Sequence, residues 1–287
     1  MASMLITPFD PWESKLCTCP KKLTLNPYTG CAHGCLYCYA SSYVLNFSHA
    51  RPKKYLIPKL EEEATQLKGE LISIANSSDP YPPAELVLGL TRKCLEILSK
   101  HHCKIQLVTK SPLVMRDVDI VKKTPSMVSM TITTEDDRLA KLLEPRAPSP
   151  SKRLKAISKL IRNGVPVTVR IDPLVPFIND DPERLIRKLA SLGVPHVTCS
   201  TYKAKHDNWK RVAQAFPAVA KLLRVLYFDK GEREGRTLYL PRRIRKEMLE
   251  KAKELVEEEG MKFACCREGF PQLNSAACDG SWLIPNG

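Results

Sequence analysis

The chain has 287 residues, 43% hydrophobic and 26% charged, and its 45 Lys and Arg against 31 Asp and Glu give a formal net charge of +14. That length and mix suit a soluble globular protein with one sizeable core plus an extension. No run of about 18 apolar residues occurs, which excludes a helical membrane span. The first residues, Met1 to Pro8, lack a basic stretch followed by a long apolar one, so no secretory signal is expected and the expected compartment is the cytoplasm. The surplus of positive charge makes nucleic acid the leading anionic partner. The basic residues are spread along the chain rather than gathered in one arm, and heat adaptation or solubility accounts for them equally well.

In chain order, Cys17-Thr-Cys19 comes first, in a segment over residues 1–20. Lys22 to Leu25 then reads as a short strand and Asn26 to Gly30 as the turn that leaves it. Directly after the turn stands Cys31-Ala-His-Gly-Cys35-Leu-Tyr-Cys38, a C-x3-C-x2-C run on a loop. Five more β-rich runs follow, at 71–75, 104–109, 127–133, 165–171 and 196–201. Helical patterns alternate with them at 83–100, 114–122, 136–142, 151–163 and 182–192. Ser149 or Ser151 is placed to cap the fourth helix, Asp180 or Asp181 to open the fifth, and Asn163-Gly164 and Gly193 to stop them. Strands alternating with helices predict parallel βαβ units. Beyond residue 205 the pattern changes to an amphipathic helix over 209–226, a polar loop over 229–236 and a charged helix over 241–259. This extension is expected to cover the open side of a barrel.

Eleven cysteines without a secretory signal point to metal or catalysis before disulfides. Three thiolates in the C-x3-C-x2-C run can hold three corners of a [4Fe–4S] cube, leaving one iron open to a small ligand. Structural zinc sites close with four ligands; His33 makes zinc an alternative, although the spacing is not that of a zinc ribbon. The five outlying cysteines, Cys17, Cys19, Cys265, Cys266 and Cys278, lie near the two ends. If the ends meet, four of the five can hold a second iron–sulfur cluster or a zinc, with Cys265 or Cys266 spare.

The triplet, together with Leu25–Cys31, Ser77–Glu85, Thr109–Ser111, Arg116-Asp117, Leu143–Pro148 and Arg170–Pro176, resembles the radical S-adenosylmethionine (SAM) superfamily, and within it the spore photoproduct lyase-related, DNA repair photolyase-like group. The resemblance covers about residues 20–205. It implies a partial (β/α)6 TIM-like barrel over 21–205, with a C-terminal helical, cysteine-containing extension over 206–287 and function at the C-terminal strand ends. It also implies a [4Fe–4S] cluster on Cys31, Cys35 and Cys38 that reduces SAM to methionine and a 5′-deoxyadenosyl radical, which takes hydrogen from a substrate. A reductant protein such as ferredoxin or flavodoxin is the expected electron source.

On this resemblance Ser77, Ser78 and Asp79 receive the SAM amino group, with an Asx turn as the plain reading of Asp79. Thr131 or Thr133 bonds the ribose, and Arg170 pairs with the SAM carboxylate unless Asp172 claims it. Tyr37 packs on the cofactor or belongs to the core. The lyases carry a cysteine after the second strand that returns hydrogen to the product radical; here that stretch is Ile74-Ala-Asn-Ser-Ser-Asp79, without a thiol. Thymine-photodimer splitting is therefore not expected, and Cys199 is the substitute hydrogen donor. The expected substrate is a nucleic acid or nucleobase; the alternatives are a peptide or small metabolite, or an electron-transfer protein that does not cleave SAM.

Overall fold

The computed structural model describes residues 4–9 and 14–285. Among the described residues, twelve strands run in chain order as β1 (Thr7–Pro8), β2 (Leu23–Leu25), β3 (Tyr28–Thr29), β4 (Arg51–Pro52), β5 (Leu71–Ile74), β6 (Lys104–Thr109), β7 (Ser126–Thr131), β8 (Val167–Leu174), β9 (His196–Thr201), β10 (Glu232–Glu234), β11 (Thr237–Tyr239) and β12 (Lys262–Cys265). The helices are α1 (Leu56–Ala64), α2 (Glu85–Leu88), α3 (Leu90–Lys100), α4 (Val118–Val121), α5 (Asp137–Leu143), α6 (Pro150–Arg162), α7 (Glu183–Ser191), α8 (His206–Ala215), α9 (Pro217–Arg224) and α10 (Arg242–Glu258).

One sheet dominates, in the order β1-β2-β5-β6-β7-β8-β9-β12. All neighbours from β2 to β12 pair in parallel, and β1 lies antiparallel on the β2 edge. Parallel sheets need both faces covered, so their strands are buried throughout; every residue of β7 and of β9 is. The outer face packs on helices whose apolar stripes join the main core, among them Leu95 and Leu98 of α3, Ile157 and Leu160 of α6, and Leu249 and Val256 of α10.

The six predicted parallel strands are present, with two departures. A seventh, β12, comes from the segment expected to be an extension and pairs with β9, so residues beyond 205 continue the same sheet. Its four residues sit between Gly260-Met261 and Cys266-Arg267-Glu268, too short a run to register as a strand. The edge strand β1 was not legible either. Two predicted helices are broken by their own residues. Gly89, left-handed at φ 59°, separates α2 from α3, and Pro217 starts α9 anew after α8. The predicted helix over 114–122 begins as a 3-10 turn at Pro112 and becomes α-helical only at Val118. Neither Asp180 nor Asp181 caps α7, which begins after Pro182, and Ser149 at the start of α6 makes no capping bond. The polar loop over 229–236 closes into the β10–β11 hairpin.

Candidate active site

The cysteine loop leaves β3 at the C-terminal side of the sheet. Gly30 holds φ +82°, and a Cβ there would stand 2.5 Å from the His49 carbonyl oxygen and 2.7 Å from that of Phe47. Only glycine fits this approach, which lets the Cys31 N–H donate to the Phe47 oxygen at 2.6 Å. The loop's other backbone groups are held from outside. The Leu36 N–H donates to the Leu143 oxygen, and the Arg146 N–H donates to the His33 oxygen. Helix α8 grips the far side: Asn208 Nδ2 donates to the Tyr37 oxygen at 3.0 Å, and Arg211 donates to the Leu36 and Cys38 oxygens at 3.1 and 3.2 Å. Buried backbone groups must be paired, and here the pairing sets the loop's shape.

Cys31, Cys35 and Cys38 line one cavity of about 150 Å³, together with His33, Tyr37, Tyr39, Ser77, Ser78, Asp79, Lys110 and Thr131. Burial pushes all three thiols up, Cys31 to about 12, with the Asp79 charge adding to the rise there. Such thiols keep their protons until a cation takes the protons' place.

Two buried carboxylates brace this cavity. Glu144 sits 3.3 Å from Lys110 Nζ and accepts from Arg153, from the Tyr37 hydroxyl and from Thr133 Oγ1 at 3.2 Å. Burial alone would raise its carboxyl, but Lys110 and Arg153 outweigh burial and hold it at about 2. Arg153, itself fully buried, also donates to the Thr131 and Pro148 oxygens, tying the end of β7 to the start of α6. Asp79 accepts from Thr109 Oγ1 (2.9 Å), the Lys110 N–H (2.8 Å) and the Tyr81 N–H (2.9 Å), with His33 Nε2 3.0 Å away. These partners outweigh burial and keep it below the usual carboxylate range.

The predicted site residues fall into two sets. Tyr37, Ser77, Ser78, Asp79 and Thr131 line the cysteine cavity; the turn that presents the serines starts at Ala75, forced into the left-handed region at φ 65°. Both Asp79 oxygens are spent on protein donors, so its geometry is that of a brace. Arg170 and Thr133 lie elsewhere. Arg170 donates to Asp172 at 2.7 Å, the partner already foreseen as the alternative, and these two line cavities of about 180 and 210 Å³, the first of which shares Tyr37, Cys38, Lys110 and Thr131 with the cysteine cavity. Thr133 stands past the end of β7, spends its hydroxyl on Glu144 and borders a separate cleft. Cys199 is fully buried beside Cys265, its register partner on β12, and lines none of these cavities.

The chain ends do meet. Cys19 Sγ lies 3.3 Å from Cys278 Sγ, and Cys17 and Cys266 are its other cysteine neighbours. Cys265 turns away and donates to the Phe270 oxygen. Sequence reasoning missed Glu144 as a site hub, although it lies in the quoted Leu143–Pro148 stretch, and missed Asn208 and Arg211, whose reach to the loop has no signal in a helix pattern. It also missed a mouth of about 270 Å³ lined by Lys203, Lys205, Arg236 and Arg267, with Glu234 as its acid. Lys205 there is pushed down by burial and then by Arg267 and Arg236. Tyr39 lines this mouth and all three of the inner cavities.

A parallel sheet that carries three cysteines on a braced loop at its strand ends defines the class: an α/β barrel with a thiol cluster at its mouth. The chain belongs to the radical SAM superfamily, whose family model matches residues 25–201. An uncharacterised protein of Methanocaldococcus jannaschii is 34% identical over 164 residues, 55% of this chain and 62% of that protein. A radical SAM Nα-GlyT isomerase of Pseudomonas phage M6 is 26% identical over 90% of this chain and 56% of its own length. The chain thus spans just over half to under two thirds of these relatives. Among solved structures, a point mutant of spore photoproduct lyase superposes with a TM-score of 0.67 at 16% identity, covering 92% of this chain and 79% of the other. SuiB of Streptococcus suis, solved with S-adenosylmethionine, gives 0.59 at 13% identity, covering 89% and 53%. The superfamily implies a [4Fe–4S] cluster and SAM, and the residues fit them: three cysteines on one loop lining one cavity, with Lys110 beside them. Among the described residues no helix is long and apolar enough to cross a membrane.

Proposed function

We propose that this enzyme cleaves SAM reductively and takes hydrogen from a nucleic acid or another nucleobase-containing substrate. Cys31, Cys35 and Cys38 would hold the [4Fe–4S] cluster, which would supply one-electron reduction of SAM, with a ferredoxin- or flavodoxin-like protein as the electron source. The chain's own part is placement and shielding. Ser77, Ser78 and Thr131 offer hydroxyls to the polar groups of SAM, and Tyr37, fixed by Glu144, closes one wall. Arg170 and Asp172 line an adjoining cavity that shares Tyr37, Cys38, Lys110 and Thr131 with the cysteine cavity. The observation that carries the substrate class is the basic mouth: Lys205, Arg236 and Arg267, with Lys203 ion-paired to Glu268 behind them, surround a space that shares Tyr39 with the cysteine cavity. Such a mouth suits a phosphodiester backbone with a base reaching inward. Spore photoproduct lyase, solved with a dinucleoside spore photoproduct, supports the substrate class, and the phage radical SAM isomerase supports the reaction type. Without a thiol in residues 75–79, and with Cys199 sealed in the core, photodimer splitting is not proposed.

Anaerobically reconstituted protein with SAM and dithionite should release 5′-deoxyadenosine, and Cys35→Ala should abolish the release. DNA or RNA should bind with an affinity that falls steeply with salt, and Arg236→Gln should lower the salt slope by about 1. Absent or salt-insensitive binding overturns the nucleic-acid substrate in favour of a peptide or small metabolite. No release from fully loaded protein favours an electron carrier.

A further inference from the structure

We propose that Arg267 anchors a phosphate group of the substrate where the basic mouth opens into the inner cavities, an assignment that rests on the nucleobase-containing substrate put forward above. Arg267 lines the mouth of about 270 Å³ and also both cavities that hold Arg170 and Asp172, of about 210 and 180 Å³. Tyr39 is the other side chain common to all three. An anion held at Arg267 therefore sits at the threshold between solvent and the interior.

Arg267 is set apart by the lack of a countercharge. Four other Lys or Arg side chains line the inner cavities, and each has a carboxylate: Lys22 has Asp279 at 2.5 Å, Lys110 has Glu144 at 3.3 Å, Arg170 has Asp172 at 2.7 Å and Lys203 has Glu268 at 2.9 Å. Among the described residues Arg267 makes no ion pair, with Glu234 of the mouth or any other acid, and its Nε is buried without a hydrogen-bond partner. Tyr39 brings no negative charge, because burial pushes its phenol up. A guanidinium stays charged and offers five donors in one plane, and a buried donor left unmade is costly. Native chains rarely keep such a group without a use for it.

The backbone at Arg267 is strained and held. Its φ is 55°, in the left-handed region that long side chains seldom adopt. Both neighbours are pinned. The Cys266 N–H donates to the Cys199 oxygen at 2.9 Å, which prolongs the pairing of β12 with β9. Glu268 accepts from the Thr201 N–H at 2.7 Å and from Lys203 Nζ at 2.9 Å, and Arg245 donates to its carbonyl oxygen at 2.8 Å. Strain of this kind persists only where the surroundings over-determine it, and it collects at ligand clamps. A phosphate suits the guanidinium fork, which binds it through two parallel charge-assisted bonds. The base attached to that phosphate then stands beside the cavity of Arg170 and Asp172, which shares Tyr37, Cys38, Lys110 and Thr131 with the cysteine cavity. The phosphate can be a phosphodiester within a strand or the phosphate of a free nucleotide.

The test is binding to the full chain, by anisotropy of a labelled single-stranded DNA of mixed sequence and by calorimetry with the deoxynucleoside monophosphates. Arg267→Asn suits it, since asparagine tolerates a left-handed backbone. DNA binding should weaken about tenfold or more, with a salt slope lower by about 1. The unfolding midpoint should not fall, because the side chain removed had no partner. Arg267→Lys, which keeps the charge without the fork, should recover part of the affinity. Wild-type affinity in Arg267→Asn, or a loss matched by a fall in midpoint, overturns the proposal. If Arg267→Asn does not fold, phenylglyoxal modification of wild type decides: DNA should protect Arg267 in peptide mass spectra, and an unprotected Arg267 overturns the proposal. Failure of the nucleic-acid substrate looks different. Wild type that binds the mononucleotides but not DNA ends that substrate class and supports Arg267 as the anchor of a free nucleotide if Arg267→Asn loses the binding, and overturns it if the binding stays. Wild type that binds neither overturns both.

Discussion

The two cysteine groups are brought together by opposite means. Cys31, Cys35 and Cys38 sit on one loop, and the chain's task there is to hold a short stretch of backbone in shape. Glu144, Asn208 and Arg211 do so by occupying its hydroxyl and carbonyl groups, with Arg153 holding Glu144 in place. The terminal group joins residues as far apart as Cys19 and Cys278, and it exists only once the whole sheet has curved. Loop-closure entropy rises slowly with length, so separation is not itself prohibitive; the requirement is that every intervening strand be in place. The cysteine loop should therefore respond to changes in its bracing side chains, and the terminal group to changes in the floor of the barrel.

The sharpest way to break that contrast is Glu144→Gln. The change leaves Lys110 and Arg153 facing a neutral amide in a buried site, and removing one partner of a buried pair costs about 3–5 kcal/mol. Denaturant unfolding should show that loss, and iron bound by Cys31, Cys35 and Cys38 after reconstitution should be released faster than from wild type. Unchanged release would show that Glu144 supports the fold rather than the loop.

A second prediction probes the floor. His196, on β9, is fully buried with Nδ1 2.7 Å from Thr168 Oγ1, and its ring meets Trp282 edge-on at 6.2 Å. Burial pushes it down from 6.5 to about 4. Its folded value lies below its unfolded one, so as the pH falls the unfolded chain takes up the proton first. Stability is full above about 6.5 and drains as the pH drops toward 4, by up to about 3 kcal/mol. His196→Gln should flatten the unfolding free energy over that window. An unchanged slope would move the pH dependence to other groups.

The smallest effect is expected from Arg211→Met. Arg211 is partly exposed, and its ion pair with Asp207 adds little, so stability should change by less than about 1 kcal/mol. Its bonds to the Leu36 and Cys38 oxygens are lost all the same. Iron release from the loop, followed by absorbance with a chelator, should quicken without a matching drop in unfolding midpoint. A matching drop would mean that α8 supports the fold rather than the loop.

Much of the barrel was legible because parallel strands buried on both faces are short apolar runs with helical patterns between them. β6 and β9 match the expected residues end to end. The misses have local causes: β12 is four residues long, and α1 carries Pro58 in its first turn, which masks its start. In the site, Tyr37, Ser77, Ser78 and Thr131 line the cavity as their positions after strand ends suggested. Arg170 lines an adjoining cavity that takes in Tyr37, Cys38 and Thr131, and Thr133, past the end of β7, borders a separate cleft. Asp79 is in place, but which donors its oxygens would meet depended on Thr109 and His33 from other segments.

The sequence alone determined the chemistry that is local: a C-x3-C-x2-C loop after the first strand of the parallel sheet, with Gly30 required by its turn, and a chain of βα units that can only pack as a parallel sheet. Tertiary structure decided what depends on several segments at once. It made Glu144 the hub of the cysteine loop, sent Cys199 and Cys265 into the core, gathered four basic side chains at one mouth and set Cys19 against Cys278. The physical reason is range. Spacing and backbone preference act over a few residues, whereas burial, ion pairing and thiol proximity are properties of places that exist only after the sheet has curved and its ends have met.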